Sequence, residues 1–164
     1  MTILTRDGNI VANDYALLAD DAGATGAAAI VTWQRWMKER ESLRAAVARI
    51  GVRLPNTLDV IPAFPDLADR PLLELEFPAF ADGRAYSQAR LLRQRCKYQG
   101  EIRAVGNAVV RDQLFGMARC GFDSFELRAD QNASVCVSAL RDFSLAYQPA
   151  ADGIAPVGRL RWGG

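Results

Sequence analysis

The residues best suited to do chemistry lie in and after the loop that begins at Pro78. Asp82-Gly83-Arg84 follows an apolar run, and Tyr86, Arg90, Arg93 and Lys97 then fall at i, i+4, i+7 and i+11, which is one face of a helix. Arg84 to Arg103 contains six basic residues and one acidic residue. Free backbone N–H groups at a helix start favour anions, and arginine forks match sulfur and phosphorus oxyanions. One reading is therefore an anion- or partner-binding surface of Asp82, Gly83, Arg84, Tyr86, Ser87, Arg90 and Arg93, with Arg103 contributing from the next strand. The plainer reading is a solvated helix flank with Asp82 as its cap. Arg111-Asp112-Gln113 opens another helix just past a strand end. Asp112 could orient Arg103 or Arg84, or be a simple first-turn acid, with Gln113 beside it. Cys120 is a candidate reactive thiol, although a lone cysteine more often packs than reacts. Glu74 and Glu76 share a strand face by spacing, which does not by itself imply acid–base work.

The composition removes several kinds of chemistry. The chain has no histidine and three widely spaced cysteines, Cys96, Cys120 and Cys136. That excludes Ser-His-Asp and Cys-His catalysis, and it leaves no four-ligand zinc or iron–sulfur set, so no metal is expected. There is no disulfide framework and no CxxC couple. Neither GxGxxG nor GxxxxGK[ST] occurs, and no cofactor is supported. A net charge of +1 gives no global field for nucleic acid or membrane. No apolar run reaches the roughly 20 residues needed to cross a bilayer, and the first residues do not read as a signal peptide, so a cytoplasmic protein is expected.

The elements that must hold these residues alternate. Half of the 164 residues are hydrophobic, which fits one α/β domain over residues 1–149 with a loosely held tail at 150–164. Residues 1–27 are weakly patterned, although Ile3-Leu4 and Asn9-Ile10-Val11 flank Arg6-Asp7-Gly8 as a hairpin would. Strands are expected at Ala29–Trp33, Val52–Leu54, Leu72–Phe77, Glu101–Val105 and Phe122–Leu127. Helices are expected at Gln34–Ile50, Arg84–Lys97, Val109–Cys120 and Val135–Tyr147, with an irregular one over Leu58–Leu67. Gly51 and Gly121 stand at helix stops, and in Leu72–Phe77 the alternation suggests that one face is less buried than the other. The order implies an open, mostly parallel sheet of about five strands with helices packed over it. A doubly wound sheet leads, with a partial βα barrel as the alternative, because a full barrel typically takes about 250 residues. Ligands in such sheets bind beyond the strand carboxyl ends, which singles out the loops Pro78–Arg84 and Gly106–Ala108.

Asp82-Gly83-Arg84, Tyr86-Ser87, Ala89-Arg90 and Leu92-Arg93 together resemble a stretch of a bacterial family catalogued as domain of unknown function 934. The resemblance continues through Gly100-Glu101, Arg103-Ala104, Gly106, Arg111-Asp112-Gln113 and Cys120-Gly121-Phe122-Asp123, with Leu54-Pro55-Asn56 before and Tyr147-Gln148 after. It covers about residues 30 to 148. Members of the family are encoded beside the haemoprotein subunit of sulfite reductase. The resemblance therefore implies a part in sulfate assimilation, in the reduction of sulfite on the way to cysteine. Two roles follow. One is an accessory protein docking, through the basic helix, on sulfite reductase or on an acidic electron carrier such as ferredoxin. The other is a cofactor-dependent oxidoreductase or sulfur-oxyanion-binding enzyme of the same pathway, with Cys120 as a conceivable sulfur carrier.

Overall fold

A computed structural model of the chain describes residues 2–141. The tail at 150–164 and the expected last helix beyond residue 141 lie outside those residues. The strands are β1 (Thr2–Thr5), β2 (Ile10–Ala12), β3 (Ala16–Leu17), β4 (Gly26–Thr32), β5 (Val47–Leu54), β6 (Leu72–Phe77), β7 (Glu101–Gly106) and β8 (Ser124–Glu126). The helices are α1 (Trp33–Ala46), α2 (Val60–Ala63, running into a 3-10 turn at Phe64–Asp66), α3 (Arg84–Gln94), α4 (Arg111–Cys120) and α5 (Ala133–Arg141).

All eight strands form one sheet in the order β2-β1-β8-β7-β6-β5-β4-β3. From β3 to β8 every pairing is parallel, while β1 runs antiparallel to both β8 and β2. The sheet is thus larger than the expected five strands and partly antiparallel. Its order corrects the doubly wound expectation in favour of the partial barrel. A doubly wound sheet reverses direction partway, whereas here each parallel strand lies beside its predecessor. With right-handed crossovers that order puts every helix on the same face. Val52, Leu54, Leu73, Leu75, Phe77 and Ala104 meet Trp36, Leu43, Ala89, Leu92, Leu114 and Met117 there in one buried core.

The curl of the sheet follows from a short connection. β2 and β3 occupy opposite edges, yet only Asn13, Asp14 and Tyr15 join them. Laid flat, eight strands spaced about 4.8 Å apart would be about 34 Å wide. The four steps from Ala12 to Ala16 reach about 14 Å at full extension. The edges must therefore bend toward each other, and the result is a half-barrel with helices outside and a concave face within. The connector lies across that concave face. Arg103 of β7 donates to Asn13 Oδ1 at 3.0 Å, Arg49 of β5 pairs with Asp14 at 2.6 Å, and both guanidiniums stack on the Tyr15 ring.

Several elements match the sequence reading. The hairpin of β1 and β2 forms with Ile3 opposite Val11 and with Gly8 at φ 86°, and β6 has the expected bounds. Gly121 ends α4 at φ 106°. Others differ. α1 stops at Ala46, and Val47–Ile50 begin β5 rather than finishing the helix. The β-branched Val47 and Ile50 bury equally well from a strand, where their stiff χ1 angles fit better. Gly51 accordingly caps no helix. It sits in mid-strand, where an added Cβ would lie 3.1 Å from Leu72 and 3.2 Å from Ile30. α3 ends at Gln94, before Lys97, whose φ is 57°. On β6 the face that carries the glutamates is the less buried one only at Glu76, because Glu74 is fully buried.

Candidate functional site at the concave face

The register of the central strands explains how a glutamate can be buried. Arg53 on β5 stands opposite Glu74 on β6, Glu74 opposite Arg103 on β7, and Arg103 opposite Ser124 on β8. The four therefore form one row across the concave face. Arg53 Nε donates to Glu74 Oε2 at 2.8 Å. Arg103 is held from three sides, by Glu101 at 3.0 Å, by Ser124 Oγ at 3.2 Å and by Asn13. Its nearest nitrogen is 3.7 Å from Glu74 Oε1, too far for a hydrogen bond, and that oxygen has no hydrogen-bond partner. Burial raises the Glu74 pKa, against the lowering effect of Arg53 and Arg103, and the nearby Glu126 charge raises it further. The row also fixes register. A slip of one residue would turn Glu74 toward the apolar helix side, away from both arginines, and an unpaired buried charge is costly.

Toward the carboxyl ends of the strands the same face carries Glu76 on β6 and Glu126 on β8, both half-buried and neither hydrogen-bonded nor ion-paired among the described residues. Beside Glu126 lies a cavity of about 440 Å³, lined by Thr2, Gly106, Asn107, Glu126, Arg128 and Gln131 among others. Its walls are well fixed. Asn107 donates to Pro78 O at 3.2 Å, and Arg128 forks onto Asp130 at 2.6 and 2.8 Å while also reaching Asn107 O. The fork lowers the Asp130 pKa to about 2. A shallower depression of about 270 Å³ continues past Arg128 to Phe80, Arg111 and Asp112. Both loops singled out by the strand-end rule thus border one rim.

The residues singled out in the sequence do not gather into one site. Arg84 forks onto Asp82 at 2.6 and 2.9 Å, and Asp82 also accepts from Asn56 at 2.7 Å and from the Arg84 backbone at 3.3 Å. This holds the Asp82 carboxyl well below the usual range, with the Arg84 side chain as the main cause. The capping position of α3 is Gly83, with no side-chain cap bond, so Asp82 is not the cap of its plainer reading; its main role is to neutralise Arg84. Gly83 is the residue before α3, where an added Cβ would meet only the Tyr86 ring, at 3.6 Å. Tyr86 packs edge-on against Phe77 and donates to Gln113 at 2.5 Å, and desolvation pushes its pKa up to about 12. Arg93 turns inward, donating to the carbonyls of Tyr98, Gly100 and Gly121 and pairing with Asp123. Ser87 and Arg90 are exposed. Arg103 belongs to the concave face, on the far side of the sheet from α3. Asp112 is exposed and pairs with Arg111, and no ion pair among the described residues joins it to Arg103 or Arg84. Cys96 and Cys120 are half-buried against the core and Cys136 is buried.

Sequence reasoning passed over Arg53, Glu126 and Arg128, and set aside Glu74 and Glu76. One signal was present. Two glutamates alternate in an otherwise apolar strand, and Arg53 and Arg103 stand in the apolar runs before and after it. Among the described residues no helix is long and apolar enough to cross a membrane, and no group of three or more metal-binding side chains occurs.

Comparison with known proteins gives a family and no activity. No curated protein and no solved structure matches the chain. Residues 51–158 match the family described as bacterial protein of unknown function, DUF934, a span that begins in mid-β5 and takes in the concave row, α3 and the rim. The chain belongs to this bacterial family, DUF934.

Proposed function

We propose that the chain is an accessory protein of assimilatory sulfite reduction, docking on sulfite reductase or on its acidic electron donor through the outward flank of α3 and the turn that follows it. The pathway rests on the family resemblance. The docking surface rests on one observation: Arg90, Arg95 and Lys97 are exposed and, among the described residues, none has a carboxylate partner, Arg90 bonding to the neutral Gln94. Arg84 and Arg93 drop out of the surface, because Asp82 neutralises the first and the second ties three backbone carbonyls together. Clustered unpaired cations steer an acidic partner and set the salt dependence of association. The enzyme alternative is less well supported. The two arginines best placed for a sulfur oxyanion, Arg84 and Arg103, are already held by carboxylates.

The test is a pull-down by the tagged chain from extracts of its own cells, with haem absorbance read in the eluate. The Arg90→Glu, Arg95→Glu, Lys97→Glu variant should retain the thermal midpoint of the wild type and lose the haemoprotein or the carrier. Equal recovery by the two proteins would remove this flank as the dock. Arg93→Glu is unsuitable for this purpose, because it breaks a structural clamp.

A further inference from the structure

Lys97 holds a backbone conformation that its residue type disfavours. Its φ is 57°, and among the described residues no other non-glycine residue has a positive φ. A helix that stops in this conformation usually carries glycine there, because a Cβ is crowded. Another side chain at such a φ costs stability and persists where its surroundings hold it, often at functional positions. Around Lys97 the turn is pinned on both sides. Before it, Cys96 N donates to Leu91 O at 3.1 Å. After it, the buried Tyr98 donates from its backbone to Leu92 O at 3.0 Å and from its hydroxyl to Arg70 O at 2.9 Å. Arg93 donates to Tyr98 O at 2.7 Å and to Gly100 O at 2.8 Å, and Gln99 donates to Lys97 O at 2.8 Å. The Lys97 side chain is exposed and has no ion-pair partner among the described residues. None of their large exposed hydrophobic side chains belongs to α3, to the turn after it or to α4.

We infer, resting on the docking reading above, that Lys97 is the fixed anchor of the dock and that the dock takes the acidic electron donor rather than the haemoprotein. A lysine is a point charge on a flexible four-carbon stem. Pinning its backbone on both sides fixes where the stem starts, so less freedom is lost when a partner carboxylate meets it. Glycine would suit the backbone better and would remove the charge, so this position keeps a cation at the expense of stability. Arg93 supports that anchor from within instead of joining the surface. Permanent subunit interfaces resemble a protein core and are rich in apolar side chains, whereas small electron-transfer encounters rely on complementary charge. Clustered cations without an apolar anchor fit the second kind, and an acidic carrier supplies the matching carboxylates.

The experiment is titration of the full chain with the purified acidic electron donor and, separately, with the purified haemoprotein, at several salt concentrations, together with thermal unfolding. Binding of the donor that weakens as salt rises is expected. Lys97→Gly and Lys97→Asn should each weaken it at least about threefold, and Lys97→Arg should retain it. Lys97→Gly should also raise the thermal midpoint by about 2 °C, which separates lost binding from a damaged fold. Lys38→Gln, which removes an exposed cation on α1, should leave the affinity unchanged. Full donor affinity in Lys97→Asn beside a loss in Arg90→Glu, Arg95→Glu would overturn the anchor and leave the docking reading standing. A lowered midpoint in Lys97→Gly would likewise remove the strain on which the anchor rests. Salt-dependent binding of the haemoprotein and not of the donor would overturn the choice of partner alone. Binding of neither protein would overturn the anchor and the docking reading together.

Discussion

Arg93 and Glu74 show how much a residue's role depends on partners far away in sequence. By spacing Arg93 belongs to a basic helix face, but its guanidinium meets Gly121 and Asp123, nearly thirty residues on. Glu74 looks like the polar half of an alternating strand, but two arginines on flanking strands allow it to be buried. The Glu74 site makes a pH prediction. Burial raises its pKa above the ordinary 4.5, so the folded chain holds this proton more tightly than the unfolded chain. Above about 4.5 the folded state then binds more protons, and the stability that Glu74 contributes falls as pH rises through the window up to its raised value. Urea unfolding of the wild type and Glu74→Gln, from about pH 4 to about pH 7, should give a stability difference that moves against the wild type as pH rises. A difference moving the other way would show that the arginines dominate over burial. The tendency of a lone cysteine to pack was legible from residue type, and Cys120 is half-buried against the core. The Arg53–Glu74–Arg103 row was not, because it exists only once the strand register is known.

At the scale of elements, local chemistry predicted what local chemistry controls. Asp-Gly marked the first hairpin and Gly121 the end of α4. The α1–β5 boundary was missed because Val47 and Ile50 satisfy a helical stripe and a strand equally well. β3, two residues long and exposed, carries no pattern long enough to find. Gly106 is the element-end glycine with most at stake. It has φ 110°, and an added Cβ would lie 2.5 Å from the Phe77 carbonyl oxygen. Gly106→Ala should destabilise by about 3 kcal/mol through strain and overlap with backbone that cannot move aside, as read by chemical denaturation. A loss under about 1 kcal/mol would mean that the β7 end relaxes easily and that the cavity wall is not rigid.

For the molecule as a whole, the connection from Asn13 to Tyr15 draws the edges of an eight-stranded sheet together, closing one end of the half-barrel and leaving the other open. The weakly patterned first residues are therefore part of the sheet. Leu4, fully buried, should cost about 2–5 kcal/mol on change to alanine, measured by urea unfolding, and a negligible loss would make the hairpin an ornament. The sequence's strand–helix alternation showed the α/β class. The strand order and curl depended on which strands pair, information carried by contacts between distant residues rather than by any one segment. The same geometry separates two surfaces, a concave acidic face and a convex basic flank on α3, and the flank is the proposed dock. The most direct test is titration of the purified chain with the purified sulfite reductase haemoprotein, and separately with its acidic electron donor, at low and high salt. Association with one of them is expected, weakening as salt rises and falling at least about tenfold in the Arg90→Glu, Arg95→Glu, Lys97→Glu variant. Association with neither, or an affinity indifferent both to salt and to the three substitutions, would contradict it.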